Sequence, residues 1–541
     1  MAALAMTPAV SAQDAARVHA AGNAALRSGD ARAAVAHFET ASKAQPANLD
    51  YALDHAIALQ RMQRHLDVIE LLAPREKAGR SSPRYASTRA LSHKSLGQIA
   101  DAADWYDVAL SLNARHPRAM HGRARIALER GEADALARFD AAIADNPGDA
   151  DLWLGKANAL DVSGDAKGAL MVAQQIADQA PGYLPGQFFL AQMRLAHGEA
   201  DFASHYAKAA AQHPQDPNIP MAHCEVLAGL ERAAEAADIA AGARTRFPNI
   251  EHFAFLEAVH SGTAGDWDRA EAIFATLQMT GAVRLLHEAR HRLRGGDAQA
   301  ADALLDQSLA ERPWDIAAWA LRGIVWRVLD DPRAQWLHGQ DGLVQFLRLR
   351  GADGLIERCV DELRVMHENS AIPLGQSLRG GTQTRGILFH NVSPIMQELR
   401  EAIRETLEDY RSALPDHDAA HPLLRHRSAV WKFAGSWSVR LTGGGDFHTS
   451  HIHPLGVISS ALYLVVPQDS SEETERPGWL EIGRPPPDLG LDLEPLQTIQ
   501  PRAGHLALFP STLYHGTTPF TSAERMTTAF DVVSHGRPSE L

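Results

Sequence analysis

Three histidines fall within six residues in the stretch Phe447-His448-Thr-Ser-His451-Ile-His453-Pro454. Neutral imidazole is a common ligand for divalent metals. Residues two apart in an extended strand project from one face, so His451 and His453 are placed to chelate one ion. His448 stands at odd spacing from both and is expected on the opposite face, unless a bulge intervenes. A third ligand is available downstream. His515 follows the apolar run Gly504–Phe509 in Pro510-Ser-Thr-Leu-Tyr-His515, and ten residues later comes Arg525, in Glu524-Arg525-Met-Thr527. That spacing suits a turn and the start of an adjacent strand. An arginine there can hold a carboxylate through a forked pair of hydrogen bonds. Taken singly these features are weak, since 27 of 541 residues are histidine and a lone arginine is more often a surface charge. Their combination in this order is much more specific.

Strands and helices must position these residues. Val430–Leu441 places Trp431, Phe433, Trp437 and Val439 at odd positions, while Val457–Val466, Gly504–Phe509 and Met526–Val533 are short apolar, β-like runs. Gly443-Gly444-Gly445, Pro485-Pro486-Pro487 and Pro510 punctuate them. Residues 353–368 and 394–413 read as amphipathic helices. Helices followed by several short strands imply an α+β domain with a barrel or sandwich. Trp431, Trp437, Trp479 and His505 are expected in the core rather than at the site.

The first 330 residues have a different pattern. Ala34, Phe38, Ala41 and Pro46 are spaced four, three and five apart, and Ala135, Phe139, Ala142 and Pro147 repeat that spacing in full. Ala169, Ala173, Ile176 and Pro181 repeat it with substitutions, and Tyr206, Ala209 and Pro214 repeat its second half. Pro147, Pro181, Pro214 and Pro248 form a ladder with steps of 34, 33 and 34 residues. Small residues let paired helices approach, the aromatic fills the space between them, and proline stops the second helix. Gly29, Gly97, Gly131, Gly164 and Gly198 fall where the turn between helices belongs. Roughly nine helix pairs are expected; they must stack, because one pair cannot bury its apolar face alone. The pattern is weak over residues 47–80 and 249–312. The expected organisation is a repeat array over 14–330, a linker with supporting helices over 331–390, and the β-rich core over 391–541.

The totals limit the function classes. A chain of 541 residues exceeds one ordinary core. A net charge of −14 argues against a broad nucleic-acid surface and suits a basic peptide or protein partner better. No run of 18 uncharged apolar residues predicts a membrane span. Met1–Gln13 lacks the positive and apolar segments of a signal peptide, so none is expected. With only Cys224 and Cys359, neither a disulfide framework nor a cysteine zinc site is predicted. A reducing, cytoplasmic setting is expected.

The repeats resemble the tetratricopeptide family, which implies an α-solenoid whose groove holds a peptide or protein. The C-terminal combination resembles the 2-oxoglutarate/Fe(II) oxygenases, and more narrowly a bacterial subgroup fused to such repeats. That likeness runs through Gly375–Thr384, Ser436–Arg440, His451-Ile-His453-Pro454, Ser459–Tyr463, Gly478–Pro485 and Phe509–Arg525. It implies a double-stranded β-helix, a jelly-roll barrel, with Fe(II) and 2-oxoglutarate at its mouth. Matched residue by residue, His451 and His515 are metal ligands, Arg525 grips the far carboxylate of 2-oxoglutarate, Thr527 assists it, and Tyr463 falls at a further cosubstrate contact. Arg379, Gln383 and Arg440 match the subgroup without an assigned role. Where the superfamily has Asp or Glu, this chain has His453. His453 completes a three-histidine site, stands aside, or leaves room for a carboxylate such as Asp446; the first fits the spacing best. The implied activity is hydroxylation of a side chain on a peptide or protein held by the repeats. The competing readings are a three-histidine dioxygenase needing no cosubstrate, and a non-catalytic repeat adaptor.

Overall fold

The computed structural model describes residues 11–371, 373–375, 377–467, 476–521 and 524–535. The amino-terminal stretch weighed as a signal peptide falls outside these residues up to position 10, as does Gln376 of the motif beginning at Gly375. The chain forms two compact units, Met1–Ala159 and Leu160–Leu541.

In the first unit, paired antiparallel helices follow one another from Ala12–Arg27 and Ala31–Ala44 through Pro117–Glu129 and Ala135–Asp145. The repeat residues do what their sizes suggest. Ala34, Phe38 and Ala41 are fully buried. In three of the pairs the large ring of the second helix rests on a glycine of a first helix: Phe38 on Gly22, Tyr106 on Gly122 and Phe139 on Gly155. A Cβ at Gly122 would lie 2.2 Å from Tyr106 Cζ, so this contact admits no side chain. Gly29, Gly97 and Gly131 make their turns at φ of +87°, +72° and +67°. The weakly patterned stretch 47–80 is also helical, with helices Leu49–Arg61 and His65–Leu72. Its turn residue is Gln63 at φ +58°, which removes the glycine signal without removing the turn.

In the second unit the pairs continue from Ala166–Gln179 to Ile316–Val328 and Arg333–His338. Pro181, Pro214, Pro248 and Pro313 each stand two residues past the end of a second helix. Residues 249–312, also poorly patterned, form the helices His252–Thr263, Trp267–Phe274, Ala282–Arg294 and Ala298–Glu311.

The rest of this unit is β-rich. Its strands are β1 (Gln345–Arg348), β2 (Leu378–Arg379), β3 (Thr382–Gln383), β4 (Val430–Leu441), β5 (Phe447–His448), β6 (Ile458–Val465), β7 (Leu480–Ile482), β8 (Gln497–Ile499), β9 (His505–Pro510), β10 (His515–Thr517) and β11 (Arg525–His535). A six-stranded sheet runs in the order β1-β9-β6-β11-β4-β3, a three-stranded sheet in the order β10-β7-β8, and β2 pairs with β5. Every named pairing is antiparallel. The fold is thus α+β, with a helical repeat array followed by antiparallel sheets.

Side-chain alternation divides the large sheet into two faces. Leu506 and Leu508 of β9 and Met526, Phe530 and Val532 of β11 pack under the helices Leu355–Glu368 and Pro394–Ala413. Ala507 and Phe509 point the other way, toward Leu480, Ile482 and Ile499 of the small sheet. The histidines and Arg525 lie on this second side.

Candidate metal centre

His451 and His515 face each other through an isolated antiparallel bridge, in which each backbone N–H donates to the other's carbonyl at 3.0 and 2.9 Å. His453 follows in a loop rather than a strand. Even so, one ring nitrogen from each of the three histidines lies within 4.8 Å of the others. Second-atom contacts fix the tautomers. His451 Nδ1 faces Thr449 O at 2.8 Å, His515 Nδ1 faces Leu513 O at 3.1 Å, and His453 Nδ1 faces Asp531 Oδ1 at 2.5 Å. A carbonyl or carboxylate oxygen accepts only, so each Nδ1 donates its hydrogen and each Nε2 is left bare.

The Nε2 atoms of His451 and His453 are 3.1 Å apart. Two bare ring nitrogens at that distance need a proton or a cation between them. Burial depresses the pKa of His451 to about 3, with the charge of His453 a smaller cause. Burial also holds His515 well below the ordinary range, with His451 and His453 contributing. Neither ring exchanges a proton for a metal at neutral pH, which favours binding.

Arg525 opens β11 on the same side of the sheet. It is 2% exposed, and its Nε and one terminal nitrogen have no hydrogen-bond partner. Among the described residues no carboxylate pairs with it. Its guanidinium lies 5.3 Å from the centre of the Tyr463 ring. Burial raises the Tyr463 phenol pKa, and Arg525 opposes that rise. Thr527 is paired across to Tyr463 on β6 and to Val439 on β4; Arg525, Thr527 and Val439 line the cavity, and Tyr463 is buried behind them. A buried cation lacking an anionic partner, next to a ring of bare nitrogens, suits an anion that also reaches a metal.

Several single-residue expectations differ from what is found. His448 lines the same cavity, not the far side. The strand β5 ends at His448 and the chain turns before His451, so alternation does not carry across. Its Nδ1 lies 3.3 Å from Ser377 Oγ. Trp437 is a wall of the cavity, with its ring 5.4 Å from that of His453. Asp446 turns away and accepts from the backbone N–H of Thr442 at 3.0 Å. Among the described residues the only metal-type cluster is the three histidines. Gln383 lines the cavity, whereas Arg440 pairs with Glu524 at 2.6 Å and so anchors the residue just before Arg525. Arg379 pairs with Glu231, and Arg385 with Asp161 at 2.8 Å. Both cations belong to the segment bordering the cavity, and Glu231 sits in the turn between helices Asn218–Ala228 and Ala233–Arg246. Two residues that sequence spacing did not flag are Ser377 and Asp531. Asp531 carried a signal, for it continues the two-residue period Arg525, Thr527, Ala529.

Residues 435–531, less than a fifth of the chain, match the profile of the family described as "Putative 2OG-Fe(II) oxygenase". Among solved structures, a tetratricopeptide repeat protein from Parabacteroides merdae is similar at 16% identity, over 45% of this chain and 98% of its own, with a TM-score of 0.36. The pilF protein of Pseudomonas aeruginosa is similar at 14% identity, over 38% of this chain and 95% of its own, with a TM-score of 0.33. No curated protein matches the chain. The chain thus joins an array of paired helices to a region that matches the oxygenase profile. No helix among the described residues is long and apolar enough to cross a membrane.

Proposed function

We propose that this protein is an iron(II)- and 2-oxoglutarate-dependent oxygenase that hydroxylates a side chain of a peptide or protein. The observation that carries this reading is the buried, unpaired Arg525 beside three histidines with bare Nε2 atoms. His451, His453 and His515 would hold the metal, and Arg525, Thr527 and Tyr463 the far carboxylate of 2-oxoglutarate. Bound iron(II) with 2-oxoglutarate and dioxygen supplies the oxidising power for attack on a C–H bond. The chain's own residues do the positioning. The three Nδ1 donations lock the rings, Arg525 orients the cosubstrate, and Trp437, Leu480 and Val439 give the cavity apolar walls. The two sheets are read as the halves of a double-stranded β-helix.

The repeats are proposed to recruit the substrate. Within the second unit, helix Asn218–Ala228 and its neighbours already hold the cavity-bordering segment, with Leu374 in their core and Gly375 against Gly229. Binding at those repeats would therefore be felt at Ser377 and Gln383. A cosubstrate-independent three-histidine dioxygenase has no use for Arg525, and an adaptor has no use for three oriented imidazoles.

The test is anaerobic titration of the Fe(II)-loaded protein with 2-oxoglutarate, following the weak visible charge-transfer band of a chelated cosubstrate. Wild type should show the band and Arg525→Ala should lose or weaken it. Absence of the band together with failure to retain iron would sink the proposal.

A further inference from the structure

The superfamily pattern places a carboxylate where this chain has His453, so a three-histidine site is one negative charge short. The three rings are not equivalent in their surroundings. His451 and His515 donate to neutral backbone carbonyls, whereas His453 donates to the carboxylate of Asp531 at 2.5 Å. Both partners are largely buried, with side chains 15% and 16% exposed. Among the described residues Asp531 has no other cationic partner.

The surroundings of Asp531 are built to hold it there. It stands on the cavity side of β11, in the two-residue period that begins at Arg525. The register of β11 against β4 shifts between Asp531 and Val532, and bulges of this kind re-aim side chains beside sites. Opposite Asp531 in the register is Gly435, which has no side chain to compete for the space. The loop after His453 closes on it through Gly456, where a Cβ would come within 3.3 Å of Asp531 Cβ.

We propose that Asp531 is a positioning residue that returns the missing negative charge to the metal site through His453. The carboxylate has moved one residue outward, and the imidazole between it and the metal transmits its field and fixes its own orientation. An imidazole bound to a carboxylate is a more basic ligand than one bound to a carbonyl. This rests on the reading that His451, His453 and His515 hold the metal.

The experiment measures affinity for Co(II) alone, by visible absorption and chelator competition, together with the unfolding midpoint of metal-free protein. Asp531→Asn keeps the size and an acceptor for His453 Nδ1 but removes the charge. It should bind Co(II) about 10- to 100-fold more weakly, with the ligand-field spectrum and the metal-free midpoint little changed. Asp531→Glu keeps the charge and should lie between wild type and Asp531→Asn. Co(II) affinity of Asp531→Asn within twofold of wild type would overturn the proposal, as would Asp531→Glu binding no better than Asp531→Asn. His451→Ala and His515→Ala separate the two failures. If they bind Co(II) as wild type does, the metal assignment itself is wrong. If they lose it while Asp531→Asn does not, only the role of Asp531 falls.

Discussion

Replacing Arg525 with methionine should stabilise the ligand-free protein and abolish the stabilisation that 2-oxoglutarate gives. The guanidinium is 2% exposed, with two nitrogens lacking partners and no carboxylate beside it among the described residues. An unsatisfied buried donor costs about 1–3 kcal/mol. The contact with the Tyr463 ring, at 5.3 Å, returns at most about 2 kcal/mol. The balance is unfavourable, so an apolar side chain of similar length should stabilise the ligand-free protein by about 1–4 kcal/mol. In wild type, 2-oxoglutarate at a hundredfold excess over its Kd should add about 2.7 kcal/mol. In Arg525→Met that gain should vanish. The assay is urea unfolding of metal-loaded protein under anaerobic conditions, with and without 2-oxoglutarate. The reasoning is refuted if Arg525→Met is less stable than wild type without cosubstrate and still gains stability from it. Arg525 would then be a structural cation whose partner lies elsewhere.

Two further predictions concern the scaffold. Asp488 accepts from Arg290 at 2.6 Å and also pairs with Arg294, both on helix Ala282–Arg294. Burial alone would raise its pKa, but Arg290 and Arg294 hold it below the ordinary value. Asp488→Ala leaves two partly buried cations uncompensated and should cost about 3–5 kcal/mol in chemical unfolding; a loss under 1 kcal/mol would contradict this. The second prediction concerns acid. His338 contacts Thr512 Oγ1 at 3.0 Å, and burial depresses its pKa to about 3, with His421 and Arg327 contributing. The unfolded ring binds a proton near pH 6.5 and the folded one does not, so stability is full above pH 6.5 and falls as pH drops toward 3. The slope is about 1.4 kcal/mol per pH unit for this one group. His338→Gln, measured by unfolding at pH 7, 6 and 5, should flatten the acid limb by one proton; an unchanged slope would count against the burial argument.

Much of this architecture was legible before the structure, because its rules are local. A ring opposite a glycine, a left-handed turn and a proline two residues past a helix depend on neighbours within one helix pair. The phase of Ala34, Phe38 and Ala41 therefore predicted the packing found. Where Gln63 adopts the positive-φ turn in place of glycine, the repeat pattern faded although the turn persisted. Strand alternation was equally reliable inside β11, where Arg525, Thr527, Ala529 and Asp531 share a face, and it failed outside strands. His448 was misplaced because the chain turns after β5, and Trp437 because an alternating position does not say which side of the sheet is hollow.

What the sequence by itself determined was the inventory: helix pairs, short strands, three histidines and an arginine at the right separations. What only the tertiary structure decided was which groups meet. Asp531 is 78 residues from His453, and Arg385 is more than two hundred from Asp161. These contacts depend on sheet order, on a register shift and on how helices fold back on strands. Such features are settled by burying apolar surface over the whole unit, and no local period encodes them.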